Sequence, residues 1–343
     1  MDFASVLLNW YRENGRVLPW RGSHDPYIIW VSEVIFQQTR IEQGTGYFLR
    51  FTARFSTIVD FAEAEEDEVL KLWQGLGYYS RARNMHYTAR HICENYEGKF
   101  PRDFGTILKL KGIGDYTASC ISSICFGEPH AAVDGNVYRV LSRFYADNTS
   151  IDGPTGKSHF KRIAQELISR ERPGDFNEAL MDLGATVCKP RSPLCKICPL
   201  NLLCKAYPRN LQAEFPVKAL ALKRTAMVIN YLLVNSNDQI LIQKRTGKGI
   251  WKGLYELPMI SGDLGKLDLV AEYEEQYGLK MDNLKEVSRV KQNLTHAELD
   301  IRFYSAPNAE VKPDRISSLL TIPVGKIENY PFPKPLVDFL NKP

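Results

Sequence analysis

Apolar residues in the first two hundred positions recur mostly at the three- and four-residue spacing of one helix face. Phe3, Val6, Leu7 and Trp10 form one such stripe, and Val69, Leu72, Trp73 and Leu76 form another. Breaks containing glycine and proline (GRVLPWRG, EGKFPRD, ERPGD) separate the stripes. The pattern predicts an all-α domain of roughly ten helices over residues 1–207. After Tyr207 the texture changes. PRNLQAEFPVKALALKR, with its two prolines and scattered charge, reads as a linker over 208–225. TAMVINYLLVNSNDQILIQKR then gives two β-rich runs around the turn NSND. A helix is expected near 267–278, strands around 286–291 and 299–305, and a last helix near 334–341. Residues 226–343 therefore predict a small α+β domain.

Composition narrows the class. A chain of 343 residues with 44% hydrophobic residues can bury sizeable cores, which argues against wholesale disorder. The opening MDFASVLLNWYRENGR is too polar for a signal peptide, and its acidic residues argue against a transit peptide. No apolar run reaches the roughly 18 residues that a membrane span needs. A cytoplasmic protein is expected, and there its 7 cysteines serve as thiols, metal ligands or catalysts rather than disulfides. The net charge of +4 permits nucleic-acid binding without demanding it.

Cys188, Cys195, Cys198 and Cys204 follow C-x6-C-x2-C-x5-C within 17 residues. Four thiolates so close suit one soft metal centre, either zinc or an iron–sulfur cluster. Lys189, Arg191, Lys196 and Lys205 surround them, as a solvated face or as phosphate contacts. Leu110-Lys111-Gly112-Ile113-Gly114 lies between two helical stretches. Glycines there let the backbone approach a ligand, and amides at the next helix N-terminus can face an anion. Asp134-Gly135-Asn136 reads as a helix start capped by Asp134. Glu33 stands in the otherwise apolar stretch Trp30–Phe36, where an anion is costly, so its pKa is expected to rise.

Taken together, these segments resemble the helix-hairpin-helix DNA glycosylases, the endonuclease III and MutY superfamily. The likeness rests on the L-K-G-I-G hairpin, D-G-N-V-Y-R-V twenty residues later and the cysteine loop 188–204, in that order. S-E-V-I-F-Q-Q-T at 32–39, L-P-W-R at 18–21 and G-L-G-Y-Y-S-R-A-R at 75–83 are similar to MutY enzymes in particular. The resemblance implies one [4Fe–4S] cluster on the four cysteines and adenine removal from duplex DNA carrying an 8-oxoguanine:adenine or guanine:adenine mispair. It implies that Glu33 is the general acid and that Asp134 faces the charged sugar. Tyr116 and Asn136 orient and stabilise the intermediate, and the course is retaining. DNA and base contacts are assigned to Arg21, Gln38, Thr39, Leu76, Tyr78, Lys111, Gly112, Gly114 and Glu178. Bifunctional relatives place a nucleophilic lysine where Tyr116 stands, so a lyase step is not expected.

Residues from about 226 onward resemble a MutT-like (Nudix) domain. Read back from Gly278-Leu279, Ala271 stands at the arginine position of the hydrolase signature and Gln276 at one of its paired glutamates; Glu272 and Glu275 remain. A catalytically degenerate domain that reads the lesion is expected. Asn293-Leu294-Thr295-His296 resembles the loop that probes 8-oxoguanine, with Thr295 and His296 as contacts. Leu294 stands where an aromatic residue is common, which leaves stacking there open. The expected whole is a multidomain chain, an all-α glycosylase domain with its cluster loop plus an α+β Nudix-like domain. A monomer without membrane contact, from a prokaryote and associated with the nucleoid, is expected. Three rivals remain: a pyrimidine glycosylase/lyase, a nucleotide-pool Nudix phosphohydrolase, and a non-enzymatic DNA-binding iron–sulfur protein.

Overall fold

The structure is a computed structural model that describes residues 2–219, 224–307, 309–311 and 319–341. It divides into two compact units, residues 1–63 with 84–220, and residues 64–83 with 221–343. Among the described residues no helix is long and apolar enough to cross a membrane.

The first unit is helical, and four of its helices begin where an aspartate side chain satisfies free backbone amides. Asp2 caps Phe3–Asn14, and Asp25 caps Pro26–Ile35, whose first turn also holds a proline. Asp103 caps Phe104–Lys109 and Asp134 caps Gly135–Tyr145. Pro173–Thr186 is buried from Phe176 to Gly184, a helix wrapped in protein on all sides. It packs on Phe3–Asn14, Asp115–Phe126 and Gly135–Tyr145. The approach to Gly135–Tyr145 is close: a Cβ on Gly184 would lie 2.6 Å from the Cβ of Asn136. Pro26–Ile35 packs on Asp115–Phe126. That contact brings position 33 to position 116.

The second unit is the α+β part, and its elements fall close to the sequence expectation. Thr225–Leu233 pairs in parallel with Ala297–Ser305, and antiparallel with Met259–Ser261. Lys285–Asn293 completes this four-stranded sheet at one edge. Gln239–Lys244 pairs antiparallel with Asn235–Ser236 and with Leu320–Pro323. The NSND turn is a two-residue hairpin loop: Asn237 and Asp238 have φ of 51° and 58°, the pair of left-handed residues that matches strand twist. Lys266–Tyr277 is helical and stops at Gly278, whose φ of 68° glycine adopts without strain. The last helix is Lys334–Leu340.

Residues 64–83, read from periodicity as part of the N-terminal domain, make their packing partners in this second unit. Asp67 accepts from Lys244 Nζ at 2.6 Å and from the Tyr255 hydroxyl at 2.9 Å. Lys71 Nζ donates to the carbonyl of Tyr330 at 3.2 Å, and Gln74 Oε1 accepts from the Phe332 amide at 3.2 Å. A stripe of apolar residues says that a helix buries one face; it does not say against what.

One buried charge organises the core of this unit. Glu256, 2% exposed, accepts from Arg245 Nη1 at 2.6 Å, from the Tyr231 hydroxyl at 3.0 Å and from Gln243 Nε2 at 3.2 Å. A buried pair is held by both partners, and deleting one strands the other. Glu256→Leu is therefore expected to destabilise the fold by about 3–5 kcal/mol, read from urea unfolding of the full chain. A variant as stable as the parent would show that Arg245 is not held by this carboxylate.

Candidate active site

Glu33 lies in the last turn of Pro26–Ile35, where Tyr27, Ile29, Trp30, Val31, Val34 and Ile35 are all buried. Its carboxyl is surrounded by Tyr116, Arg21, Asp134, Glu178 and Cys120. Burial pushes it up to about 7, helped by the charges of Asp134 and Glu178 and opposed by the Tyr116 hydroxyl and the Arg21 guanidinium. The opposition from Arg21 is limited, because that guanidinium is committed elsewhere. It pairs with Glu178 Oε1 at 2.5 Å and Asp182 Oδ1 at 3.1 Å. Asp182, fully buried, also binds Arg16 through Nη2 at 2.6 Å, and Tyr11 donates to Glu178 Oε2 at 2.7 Å. The sequence singled out Arg21 and Glu178 but missed Tyr11, Arg16 and Asp182. The only signal for Asp182 was its place four positions after Glu178 on the same helix face.

Asp134 closes the N-terminus of Gly135–Tyr145. Its Oδ1 accepts from the amides of Asn136 at 2.9 Å and Val137 at 2.8 Å, and its Oδ2 from Asn136 Nδ2 at 2.7 Å. Burial raises its pKa, while those three donors and Arg139 favour the anion. Asn136 is held in turn by Arg139, which donates through Nη2 to Asn136 Oδ1 and to the carbonyl of Gly184, each at 2.7 Å.

Arg139 continues toward the cysteine loop, donating through Nε to the carbonyl of Cys188 at 2.7 Å. One turn on, Arg143 donates to the carbonyl of Lys189 at 2.7 Å and approaches Cys188 Sγ at 3.4 Å. Gln212 Nε2 reaches Cys195 Sγ at 3.7 Å. Burial, with the other three thiols nearby, pushes Cys198 up to about 12. Among the described residues no three His, Cys, Asp or Glu side chains gather as ligands of a single ion. The sequence quoted Arg139 within its motif without a role and missed Arg143; their i,i+4 spacing is the available signal.

The hairpin joins Phe104–Lys109 to Asp115–Phe126. Gly112 has φ of 81°, and a Cβ there would lie 2.7 Å from the Cβ of Asn84, so glycine is required twice over. Gly114 is the N-cap of the second helix, with no side chain closing its first turn. Lys111 Nζ sits 4.2 Å over the Tyr87 ring. Gln38 is exposed with a left-handed φ of 61°, and Thr39 follows at the end of the same turn. A strained non-glycine backbone of this kind points to a use for the exposed side chain.

The second unit gathers its own set. Leu76, Tyr78, Trp251, Leu294, Thr295 and His296 line a pocket of 600 Å³. The hydroxyls of Tyr78 and Thr295 are hydrogen-bonded to one another across 217 residues of sequence. Tyr78 is 45% exposed with φ of 47°. Leu294 is partly buried against the core of this unit, which leaves Thr295 and His296 exposed at the turn.

Comparison with known proteins agrees with this geometry. The family model of the HhH-GPD superfamily base excision DNA repair proteins matches residues 31–170, and the NUDIX domain model matches residues 230–342. The adenine DNA glycosylase of Buchnera aphidicola subsp. Baizongia pistaciae is 33% identical over 309 residues, 87% of this chain and 84% of that protein. The adenine DNA glycosylase of Buchnera aphidicola subsp. Schizaphis graminum is 36% identical over 268 residues, 75% of this chain and 74% of the relative. The human adenine DNA glycosylase is 33% identical, covering 88% of this chain and 66% of that protein. Among solved structures, a thermostable thymine-DNA glycosylase is 28% identical with a TM-score of 0.54, covering 60% of this chain and 95% of its own. A non-covalent endonuclease III–DNA complex, 23% identical with a TM-score of 0.51, covers 61% of this chain and 95% of its own and shares the fold. The chain, a helix-hairpin-helix domain followed by a Nudix-like α+β domain, belongs to the adenine DNA glycosylase family of base excision repair proteins.

Proposed function

We propose that this chain is a monofunctional adenine DNA glycosylase that hydrolyses the N-glycosidic bond of adenine mispaired with 8-oxoguanine or guanine in duplex DNA. The observation that carries the reading is the pair of unlike carboxyl groups: Glu33, pushed up to about 7 by burial, and Asp134, held by three hydrogen bonds. Adenine is a poor leaving group until its ring is protonated. Glu33 supplies that proton at N7, and one well-placed general acid contributes about 10²–10⁴-fold. Loss of the base leaves an oxocarbenium-like sugar, which the Asp134 carboxylate faces and can bond transiently. Glu33, now ionised, then activates water, giving a retaining course with the two carboxyl groups exchanging roles. Asn136 fixes the orientation of Asp134, and Tyr116 lies against Glu33 where a bifunctional enzyme needs a lysine.

The adenine must leave the stack before it can reach Glu33, at a cost of a few kcal/mol that a mispair reduces. Gln38 and Tyr78, both exposed, fit as side chains that fill the space it leaves. The hairpin amides around Gly112–Gly114 and Lys111 suit a phosphate. Arg21 and Glu178 lie near Glu33 but engage each other, so their contact with the flipped base is indirect, through the charge they set around it. Thr295 and His296, exposed beside Tyr78, suit a reader of the partner base.

The donor set of Cys188, Cys195, Cys198 and Cys204 fits one [4Fe–4S] cluster. The thiols of Cys188, Cys195 and Cys204 lie near enough to Cys198 to act on its titration, four sulfurs are the donors such a cluster takes, and Arg143 beside Cys188 Sγ offsets their negative charge. Bound there, the cluster ties the loop together; the base-removal chemistry calls for no electron transfer. Purified protein is expected to carry about four irons and four sulfides per chain. Cys198→Ser should lose that iron together with the visible sulfur-to-iron absorption; stoichiometric zinc instead would overturn the assignment.

The reading is tested with duplexes carrying adenine opposite 8-oxoguanine. Strand breaks are expected at the adenine only after alkali, without a borohydride-trapped adduct. Glu33→Gln should slow the reaction at least about 100-fold. Breaks without alkali, or an active Glu33→Gln variant, would sink the proposal.

The pH dependence has a definite sign. The acid works while protonated, so the rate falls as pH rises through about 7; it falls again at acid pH, where Asp134, its pKa raised by burial, takes up a proton. Stability moves the same way, because the folded state retains this proton at pH values where the unfolded chain has released it: burial of Glu33 costs progressively more between its ordinary 4.5 and about 7. Glu33→Gln is thus expected to melt higher than the parent at pH 8 and not at pH 4.

A further inference from the structure

Tyr116 has one hydroxyl proton, and its destination sets how the phenol acts on Glu33. Tyr116 lies in the first turn of Asp115–Phe126, and its side chain packs against the core that contains Cys120, Leu180 and Met181. The hydroxyl donates to Met181 Sδ at 3.1 Å, a short approach for a sulfur acceptor. Met181 is 7% exposed and lies on Pro173–Thr186, three residues after Glu178 and one before Asp182. No sequence motif points to this methionine; its apolar position on a buried helix reads as packing.

A phenol that sends its proton to a neighbour keeps oxygen lone pairs free. A carboxylic acid needs an acceptor for its own proton, whereas a carboxylate needs donors. Tyr116 turned toward Met181 therefore suits the acid form of Glu33, and Tyr116 turned toward Glu33 suits the anion. Thioether sulfur is a weak acceptor, so it holds the hydroxyl only while no carboxylate competes for it. The other groups facing Glu33 are Arg21 from the segment before Pro26–Ile35, Asp134 from the cap of Gly135–Tyr145, Glu178 from Pro173–Thr186, and the Cys120 thiol from the helix of Tyr116 itself. Of these only the Cys120 thiol is also a neutral sulfur in hydrogen-bonding reach of the phenol; the Met181 thioether is the acceptor that the hydroxyl meets at 3.1 Å.

We propose that Met181 is a positioning residue for Glu33: its thioether takes the hydroxyl proton of Tyr116, so that Tyr116 presents a lone pair rather than a proton to the Glu33 acid. The inference rests on the reading of Glu33 as the general acid. Met181 acts through Tyr116 and touches neither base nor sugar. Its share is to favour the protonated state in which Glu33 can give its proton to adenine.

Met181→Leu tests this, since the exchange conserves volume and deletes only the acceptor. Glu33 is titrated in the full chain by infrared difference spectroscopy, its carboxyl band assigned by its loss in Glu33→Gln. The midpoint is expected to fall by about half to one pH unit in Met181→Leu. Met181→Ile is expected to do the same, should the leucine variant not fold. In a Tyr116→Phe background the Met181→Leu exchange should leave the midpoint where it was. Adenine release should follow, about three- to tenfold slower than the parent at pH 8 and equal to it at pH 5, because only the protonated fraction changes. A midpoint that does not move, or a shift that persists without the Tyr116 hydroxyl, overturns the proposal, and a rate loss equal at all pH values assigns Met181 to packing alone. The titration requires no catalysis. A chain that releases no adenine yet shows the shift would lose the enzymatic reading and keep this one; an active chain with an unmoved midpoint would do the reverse.

Discussion

The charge count around Arg21 governs the helical unit. Two guanidinium groups, Arg16 and Arg21, meet two buried carboxylates, Glu178 and Asp182, at distances from 2.5 to 3.1 Å. That account is balanced, and it leaves Arg21 only a limited pull on a third carboxyl. Glu33, inside the same enclosure, has no cation of its own, so retaining a proton is its least costly state. An acid poised near neutrality thus depends on an ion-pair network whose members need never touch a substrate.

The helix Gly135–Tyr145 carries the second half of the arrangement. Its first turn is closed by Asp134, its second turn presents Arg139 to Asn136 and to the Cys188 carbonyl, and its third presents Arg143 to the loop beyond. Each arginine satisfies backbone carbonyls that a loop without regular structure leaves unpaired. The same groups keep Asn136 turned onto Asp134. A cysteine loop that lost its shape would release Arg139, and Asn136 would lose a hydrogen-bond partner with it. The integrity of the loop and the orientation of the carboxylate are therefore one structural matter, with no redox change needed to connect them.

Much of this was legible in the sequence, for reasons that differ by residue. Glu33 announced itself as an acid among apolar neighbours, and Gly112 as a glycine in a turn that no other residue can make. Asn237 and Asp238 marked a hairpin because few residues tolerate a left-handed pair. What stayed hidden depends on partners far apart in the chain. Tyr11 and Asp182 are 171 positions apart in the numbering and share one network through Glu178 and Arg21. Met181 is indistinguishable from a core methionine until its sulfur is found 3.1 Å from a phenol. Periodicity likewise drew residues 64–83 as helical and was silent on which core their apolar face would join.

The grouping of 64–83 with 221–343 bears on how recognition and excision can be matched. On the proposed reading, Tyr78 enters the duplex beside the mispair, Leu76 packs beneath it, and Thr295 and His296 test the base that stays. Those residues come from segments more than two hundred positions apart, yet they line one pocket, and the Tyr78 hydroxyl is bonded to Thr295. Asp67, Lys71 and Gln74 fasten the wedge-bearing segment to strands and loops of the reading domain. The side chain proposed to fill the duplex and the loop proposed to read the remaining base thus belong to one packed body.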